Sequence, residues 1–326
     1  MALSLRRAAA AAVAVALAFA FSGCSRNGDS GDDGVTKVDL LMNWFAQAEQ
    51  GGYWQAAAEQ LAKADGIELN VRQGGPQIQT IPQVAAGEAE FGIAQGDELL
   101  LARAEGAPVV LVFGGMDKYL QCMMFHPETN ITDWPDLNGH RIAVAPSGGY
   151  WPYIKGRYQL DDVQEVNFTG SLANFAADKD LVQQCFITSE PYEAAQEGIE
   201  IGTLMVADSG YNPYSQGLFT TERMIREHPD VVRAVVKAVK EGWERFLADP
   251  TAGRELVLEV NKEMDAEKFD FAHNELATGD YFGEPLGLME AQRWEQLAQQ
   301  LRDAGVLTKE VDVNSVWTNE FHPDGS

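Results

Sequence analysis

Trp44 ends one apolar stretch and immediately precedes a helical one, where an indole face can meet a planar molecule. Offset stacking of that kind adds about 0.5–1.5 kcal/mol beyond the area buried, although a lone Trp beside a strand also serves as core packing. Gln50, on the following turn, can donate and accept at ring heteroatoms or lie on a plain helix surface. Gly74-Gly75-Pro76 closes the next apolar stretch. With no Cβ in the way, backbone N–H groups at Gly75, beside Pro76, can approach a bound molecule, or the tripeptide is only a tight turn. Gln95 ends a third stretch as a candidate amide contact, and Asp97 is expected to cap the helix behind it. Further on, Ser147-Gly148-Gly149 precedes Tyr150-Trp151-Pro152-Tyr153. Donors at Ser147 and Gly149 suit a polar or anionic group, while Tyr150 and Trp151 close over a ring. Glu190 leaves a strand end just before Tyr192, so its carboxylate can fix a ligand's orientation or simply favour a helix N-terminus. Tyr119 is a further candidate, with Tyr211 and Tyr214 weaker ones.

Covalent chemistry finds little support. The five His residues lack metal-ligand spacing, no G-x-S-x-G elbow occurs, and Cys122 and Cys185 stand far apart in sequence. No cofactor and no metal are expected, and the constellation reads as a binding site, not a catalytic one.

The elements that must position these groups alternate strand and helix. Strands are expected over residues 38–42, 67–71, 91–94 and 109–113, with helices over 49–64, 78–86 and 97–105 between them. That order predicts a parallel sheet covered by helices. A second series follows, with strands over 121–125, 141–145, 163–168, 183–187 and 201–207. From residue 219 the chain reads as helical. Val231, Val235, Val239, Trp243 and Phe246 mark one face of a long helix, and Pro229 starts it where a missing N–H costs nothing. Residues 36–120 plus 219–326 are therefore assigned to one lobe and 121–218 to a second, with a ligand cleft between them at the strand ends.

The chain has 24 basic and 49 acidic side chains in 326 residues, a net charge of −25. Such a surface repels nucleic acid and anionic lipid, which removes both as partners. Arg6 and Arg7 precede an apolar run over residues 8–21, the length of a signal segment and short of the ~20 residues that span a bilayer. Phe21-Ser22-Gly23-Cys24 resembles the lipobox of bacterial lipoproteins, with Phe where Leu is usual. Residues 1–23 are thus assigned to a signal peptide, Cys24 to lipidation, and 24–35 to a flexible tether. Without residues 1–23, 22 basic side chains face 49 acidic ones, a charge of −27. Cys122 and Cys185 sit in apolar strand-like runs, where cysteine commonly acts as a small hydrophobe, although an exported pair can also bond.

Asn43-Trp44-Phe45 followed by Ala48-Glu49-Gln50-Gly51-Gly52-Tyr53-Trp54 resembles the opening motif of NMT1/THI5-like substrate-binding proteins. Further blocks follow in order, among them Gly74-Gly75-Pro76, Val84-Ala85-Ala86-Gly87-Glu88-Ala89-Glu90-Phe91-Gly92-Ile93, Leu137-Asn138-Gly139-His140-Arg141-Ile142-Ala143-Val144 and His228-Pro229-Asp230-Val231-Val232. The likeness extends from residue 37 to about 260. It implies an α/β, two-lobed, type II periplasmic-binding-protein-like fold with its ligand cleft between the lobes. It also implies a monomeric, membrane-tethered receptor outside the cell that hands a thiamin-precursor pyrimidine, riboflavin or a similar heterocycle to the permease subunits of an ABC importer. A lipoprotein sensing the same ligand for a membrane signalling partner would use the same cleft. A pyrimidine synthase of the eukaryotic THI5 type is disfavoured, because the cysteine-rich cluster and the histidine of those enzymes are missing here.

Overall fold

The computed structural model describes residues 35–145 and 149–325. The expectations for the signal segment 1–23, for Cys24, for the tether up to residue 34 and for Ser147 fall outside the described residues.

Among the described residues ten strands divide into two five-stranded sheets. The first contains β1 (Thr36–Leu41), β2 (Ile67–Arg72), β3 (Phe91–Ala94), β4 (Val109–Phe113) and β10 (Gly217–Thr221), in the order β2-β1-β3-β10-β4. The second contains β5 (Gln121–Phe125), β6 (Arg141–Val144), β7 (Gln164–Asn167), β8 (Leu181–Phe186) and β9 (Gly202–Met205), in the order β7-β6-β8-β5-β9. The first sheet is not wholly parallel, as the βαβ alternation had suggested. β10 returns from the second sheet and inserts antiparallel between β3 and β4, so the stretch read as the start of the helical tail is a buried central strand. Its five residues are apolar or threonine, and buried on both faces a strand shows no alternation to mark it.

Helices α1 (Gly51–Ala58), α2 (Thr80–Ala86) and α3 (Gly96–Ala104) link strands of the first sheet; α4 (Tyr150–Tyr158), α5 (Ala173–Ala177) and α6 (Glu190–Gln196) link those of the second. After β10 come α7 (Glu222–Glu227), α8 (Pro229–Ala248), α9 (Thr251–Val260), α10 (Ala266–Thr278) and α11 (Ala291–Asp303). Pro229 is the first residue of α8, and Val235, Val239, Trp243 and Phe246 are fully buried on one face, each contributing about 1.5–3 kcal/mol. That face lies on α1, which presents Gly51 and Gly52 to it. A Cβ at Gly51 would run into the Phe246 ring, one at Gly52 into the Trp243 ring, and one at Gly242 into the Gly52 carbonyl. The paired glycines of the opening motif are thus contact points for α8, not an approach for a ligand.

The chain end also returns to the first sheet. Leu111 N–H donates to Val316 O at 2.8 Å and Thr318 N–H to Leu111 O at 2.9 Å, which covers the outer edge of β4. α11 packs against both α3 and α4, so the tail braces both sheets and does not merely cover one.

Two strands of chain cross between the sheets side by side. Met116 and Ser215 exchange backbone hydrogen bonds of 2.8 and 3.0 Å. The Asn212 side chain accepts from Tyr119 N–H and donates to Asp117 O, both at 2.8 Å, tying one crossing to the other.

Cys122 and Cys185 are opposite each other on antiparallel β5 and β8 and form a disulfide, with Cα atoms 4.8 Å apart. Both positions are buried, so their apolar surroundings and their bonding are compatible. Which of the two applied depended on register, and register is a property of the paired strands.

Candidate functional site

A cleft of about 620 Å³ opens between the two sheets at the ends of β1, β2, β3 and β8. Trp44 forms part of its first wall and is 43 % exposed; among the described residues Phe45 alone joins it as an exposed large apolar side chain. The Phe45 ring meets it edge-on at 5.6 Å. The loop of Trp44 is held by the loop after β2: Gly74 N–H donates to Trp44 O at 2.8 Å. A Cβ at Gly74 would strike the Met42 carbonyl, so glycine is needed there for two backbones to touch, and Gly75 and Pro76 reach the cleft beyond it.

Gln95, Glu98 and Gln216 complete this wall. Gln95 Oε1 accepts from Gln216 N–H at 3.1 Å, and Glu98 Oε2 accepts from Gln95 N–H at 3.1 Å. Solvent reaches Glu98 through the cleft, but protein encloses it on its other sides. That burial, then the charge of neighbouring Asp97, pushes its carboxyl up to about 7. From the second sheet come Phe168, Gln184, Phe186, Ser189 and Glu190. Glu190 opens α6 and accepts from Phe186 N–H at 2.8 Å; burial outweighs that bond and raises its carboxyl to about 7.

Of the residues singled out in the sequence, Trp44, Gly75, Pro76, Gln95 and Glu190 meet in this cleft. The others do not. Gln50 is buried below the wall and donates to Asn43 Oδ1 at 3.2 Å, so it orients a cleft residue without being one. Tyr119 is buried behind Phe186, ring edge to ring face at 6.4 Å. Gly149 is covered: its N–H donates to Asp97 at 3.3 Å, and a Cβ there would hit the Tyr211 hydroxyl. Tyr150 is buried with its hydroxyl on Gln184 Oε1 at 2.9 Å, again supporting a lining residue. Trp151 is only 5 % exposed and borders a separate outer groove with Lys155 and Glu165. Tyr192 follows Glu190 by two residues, about 200° around a helix, and so packs on Phe271 at 5.3 Å instead. Asn43, Glu98, Gln184 and Gln216 were passed over. Gln184 left a trace as a polar residue within an apolar strand; Glu98 gave none apart from its place in the first turn of α3.

Two buried carboxyls join the halves behind the cleft. Asp97 lies one residue inside α3, whose N-cap is Gln95; its Oδ1 accepts from Glu98 N–H in the first turn at 3.0 Å, while its Oδ2 accepts from the Tyr211 hydroxyl at 2.7 Å and from Gly149 N–H. Glu49 accepts from the Thr188 hydroxyl. Burial raises both carboxyls above their ordinary range. These four acids, Glu98 and Glu190 included, bind protons more tightly folded than unfolded. Their contribution to stability is complete below the unfolded value near 4 and is lost as pH rises through the raised folded values, which for Glu98 and Glu190 lie at about 7. The melting temperature is expected to fall between pH 5 and pH 8, and the double substitution Glu98→Gln, Glu190→Gln to flatten that slope. An equally steep slope in the variant would assign the effect to Glu49 and Asp97 or to general repulsion among the excess acids.

Two α/β sheets joined by paired crossings, with a cleft at their strand ends, define a two-lobed ligand-binding protein of the periplasmic-binding-protein class. The fold matches that of the periplasmic aliphatic sulphonate binding protein SsuA from Escherichia coli, with a TM-score of 0.68, 14 % identity, and coverage of 86 % of this chain and 92 % of that one. The family model described as NMT1/THI5 like matches residues 47–253, and the chain belongs to that family. Among its relatives, the riboflavin-binding protein RibY of Chloroflexus aurantiacus is 28 % identical over 90 % of this chain and 88 % of its own. A formylaminopyrimidine-binding protein of Halalkalibacterium halodurans is 21 % identical over 85 % and 88 %. Among the described residues no helix is long and apolar enough to cross a membrane.

Proposed function

We propose that the protein is the extracytoplasmic receptor of an ABC importer, tethered through a lipid on Cys24, that captures a small aromatic heterocycle of the riboflavin or pyrimidine kind. In this reading residues 36–120 and 219–326, together with Gly217 and Leu218 at the start of β10, form one lobe, the rest of 121–218 the other, and the protein acts as a monomer on the permease subunits without a cofactor and without altering its ligand. The observation that carries it is the exposed Trp44 facing amides and carboxyls across the cleft, an apolar platform ringed by a few orienting polar groups. The names of the two relatives supply the ligand class. A ligand that touches both walls favours the closed arrangement through contacts available only there.

The test is thermal unfolding of the mature chain with riboflavin and with a formylaminopyrimidine, each followed by recovery of the ligand. At 100 times its Kd a bound ligand stabilises by about 2.7 kcal/mol. A raised melting temperature with ligand returned intact is expected; no stabilisation by any heterocycle overturns the receptor reading, and chemically changed ligand overturns the non-enzymatic one. In cells, Cys24→Ser is expected to release the mature protein into the medium, because lipid chains supply the anchor at about 0.8 kcal/mol per buried CH₂. If the variant still sediments with membranes, the tether is not at Cys24.

A further inference from the structure

The cleft contrasts in charge with what an anion needs. Among the described residues that line it there is no Lys, Arg or His, while two carboxyls enter from opposite walls, Glu98 from α3 and Glu190 from α6. Each has one oxygen engaged by a wall backbone: Glu98 Oε2 by Gln95 N–H at 3.1 Å, Glu190 Oε2 by Phe186 N–H at 2.8 Å. Neither Oε1 has a hydrogen bond among the described residues, so both remain open to a donor. A third acceptor is independent of the acids. Gln216 lines the cleft at the second crossing, is 3 % exposed, and its Oε1 is buried with no partner. A buried acceptor left unpaired is costly, and an arriving N–H or O–H relieves that cost.

The geometry points to a charge filter: Glu98 and Glu190 restrict the cleft to uncharged or cationic ligands that offer N–H or O–H donors, and they exclude phosphate esters and sulfonates. The inference rests on the heterocycle reading above and adds its selectivity. An anion entering would meet carboxyl groups on both sides and no cation among the lining residues, since Lys268, whose charge reaches Glu190, is engaged by Glu193, while a donor-rich ring edge meets three waiting acceptors. The first turn of α3 would otherwise attract an anion, but it already carries Asp97 and Glu98. The chain's net charge of −25 acts in the same direction at longer range. Fold likeness to a sulphonate binder therefore does not extend to the charge of this cleft.

Calorimetric titration of the mature chain at pH 8.5, where both carboxyls are ionised, with riboflavin, riboflavin 5′-phosphate, an uncharged aminopyrimidine and an alkanesulfonate separates the outcomes. The phosphate ester is expected to bind at least a hundredfold more weakly than riboflavin, and the sulfonate not measurably. In the variant Glu98→Gln, Glu190→Gln the gap between the two flavins is expected to shrink below tenfold, which bulk alone would not produce. Two flavins binding alike to the unaltered protein would overturn the filter and leave the heterocycle reading standing. A gap unchanged in the double variant would also overturn it, assigning the discrimination to shape. Tight sulfonate binding, or silence from both uncharged probes, would overturn filter and heterocycle reading together.

Discussion

Loss of the Cys122–Cys185 disulfide is expected to lower the unfolding free energy by about 4 kcal/mol. The bond closes a loop of 63 residues that spans β5 to β8, and freeing a loop of that size restores considerable entropy to the unfolded chain. The effect should reach the site. β8 carries Gln184, Cys185 and Phe186 along the second wall, and Gln121 Nε2 on the neighbouring strand donates to Cys185 O at 3.0 Å. Denaturant unfolding of the oxidised protein, the reduced protein and a Cys122→Ala, Cys185→Ala variant measures the difference, with ligand affinity taken on the same samples. A change below about 1 kcal/mol would mean that strand pairing alone holds the sheet and that the bond adds little.

Trp44→Ala and Trp151→Ala are expected to fail in opposite ways. Trp44 is 43 % exposed in the cleft, so its removal should lower the melting temperature far less than removal of a core Trp. The ligand loses a stacking face, and affinity should drop by about 1–3 kcal/mol, roughly five- to 150-fold. Trp151 lies in the core beside Ile154 and Leu160, where truncation to Ala leaves a cavity and costs about 3–5 kcal/mol of stability. Any loss of binding in that variant should follow its loss of folded protein. Calorimetric affinities set beside melting temperatures decide the matter. Were Trp151→Ala stable and unable to bind, the outer groove would replace the interlobe cleft as the ligand site; were Trp44→Ala to bind normally, stacking would not be what the cleft offers.

The contrast between these two residues shows how much of the site was legible. Both are Trp residues beside a Gly-rich loop and ahead of a helix, and local sequence treats them alike. Trp44 follows β1 in an irregular loop, whereas Trp151 lies within α4, whose inner face is claimed by the second sheet. Tyr150 and Tyr192 went the same way: a helix turns each residue by about 100°, so aromatics clustered in sequence are dispersed in space. Groups at strand ends kept their expected places better. Gly75, Pro76, Gln95 and Glu190 each follow a strand whose carboxyl end faces the cleft, and strand ends are set by patterns that can be counted along the chain.

Much of the architecture is local in origin. Apolar runs of strand length, the Pro229 start of α8, and the buried stripe through Val235, Val239, Trp243 and Phe246 come from short-range sterics and periodicity. They determined that the molecule would be α/β and that two strand series would make two sheets. The tertiary structure decided what depends on residues far apart in the chain. β10 entered between β3 and β4, Cys122 met Cys185, and Asp97, besides accepting from the first turn of its own helix, found Tyr211. Glu98 and Glu190, almost a hundred positions apart, became two sides of one cleft. No local rule reaches that far, because register, burial and the enclosure that raises a carboxyl's pKa exist only once the walls have come together.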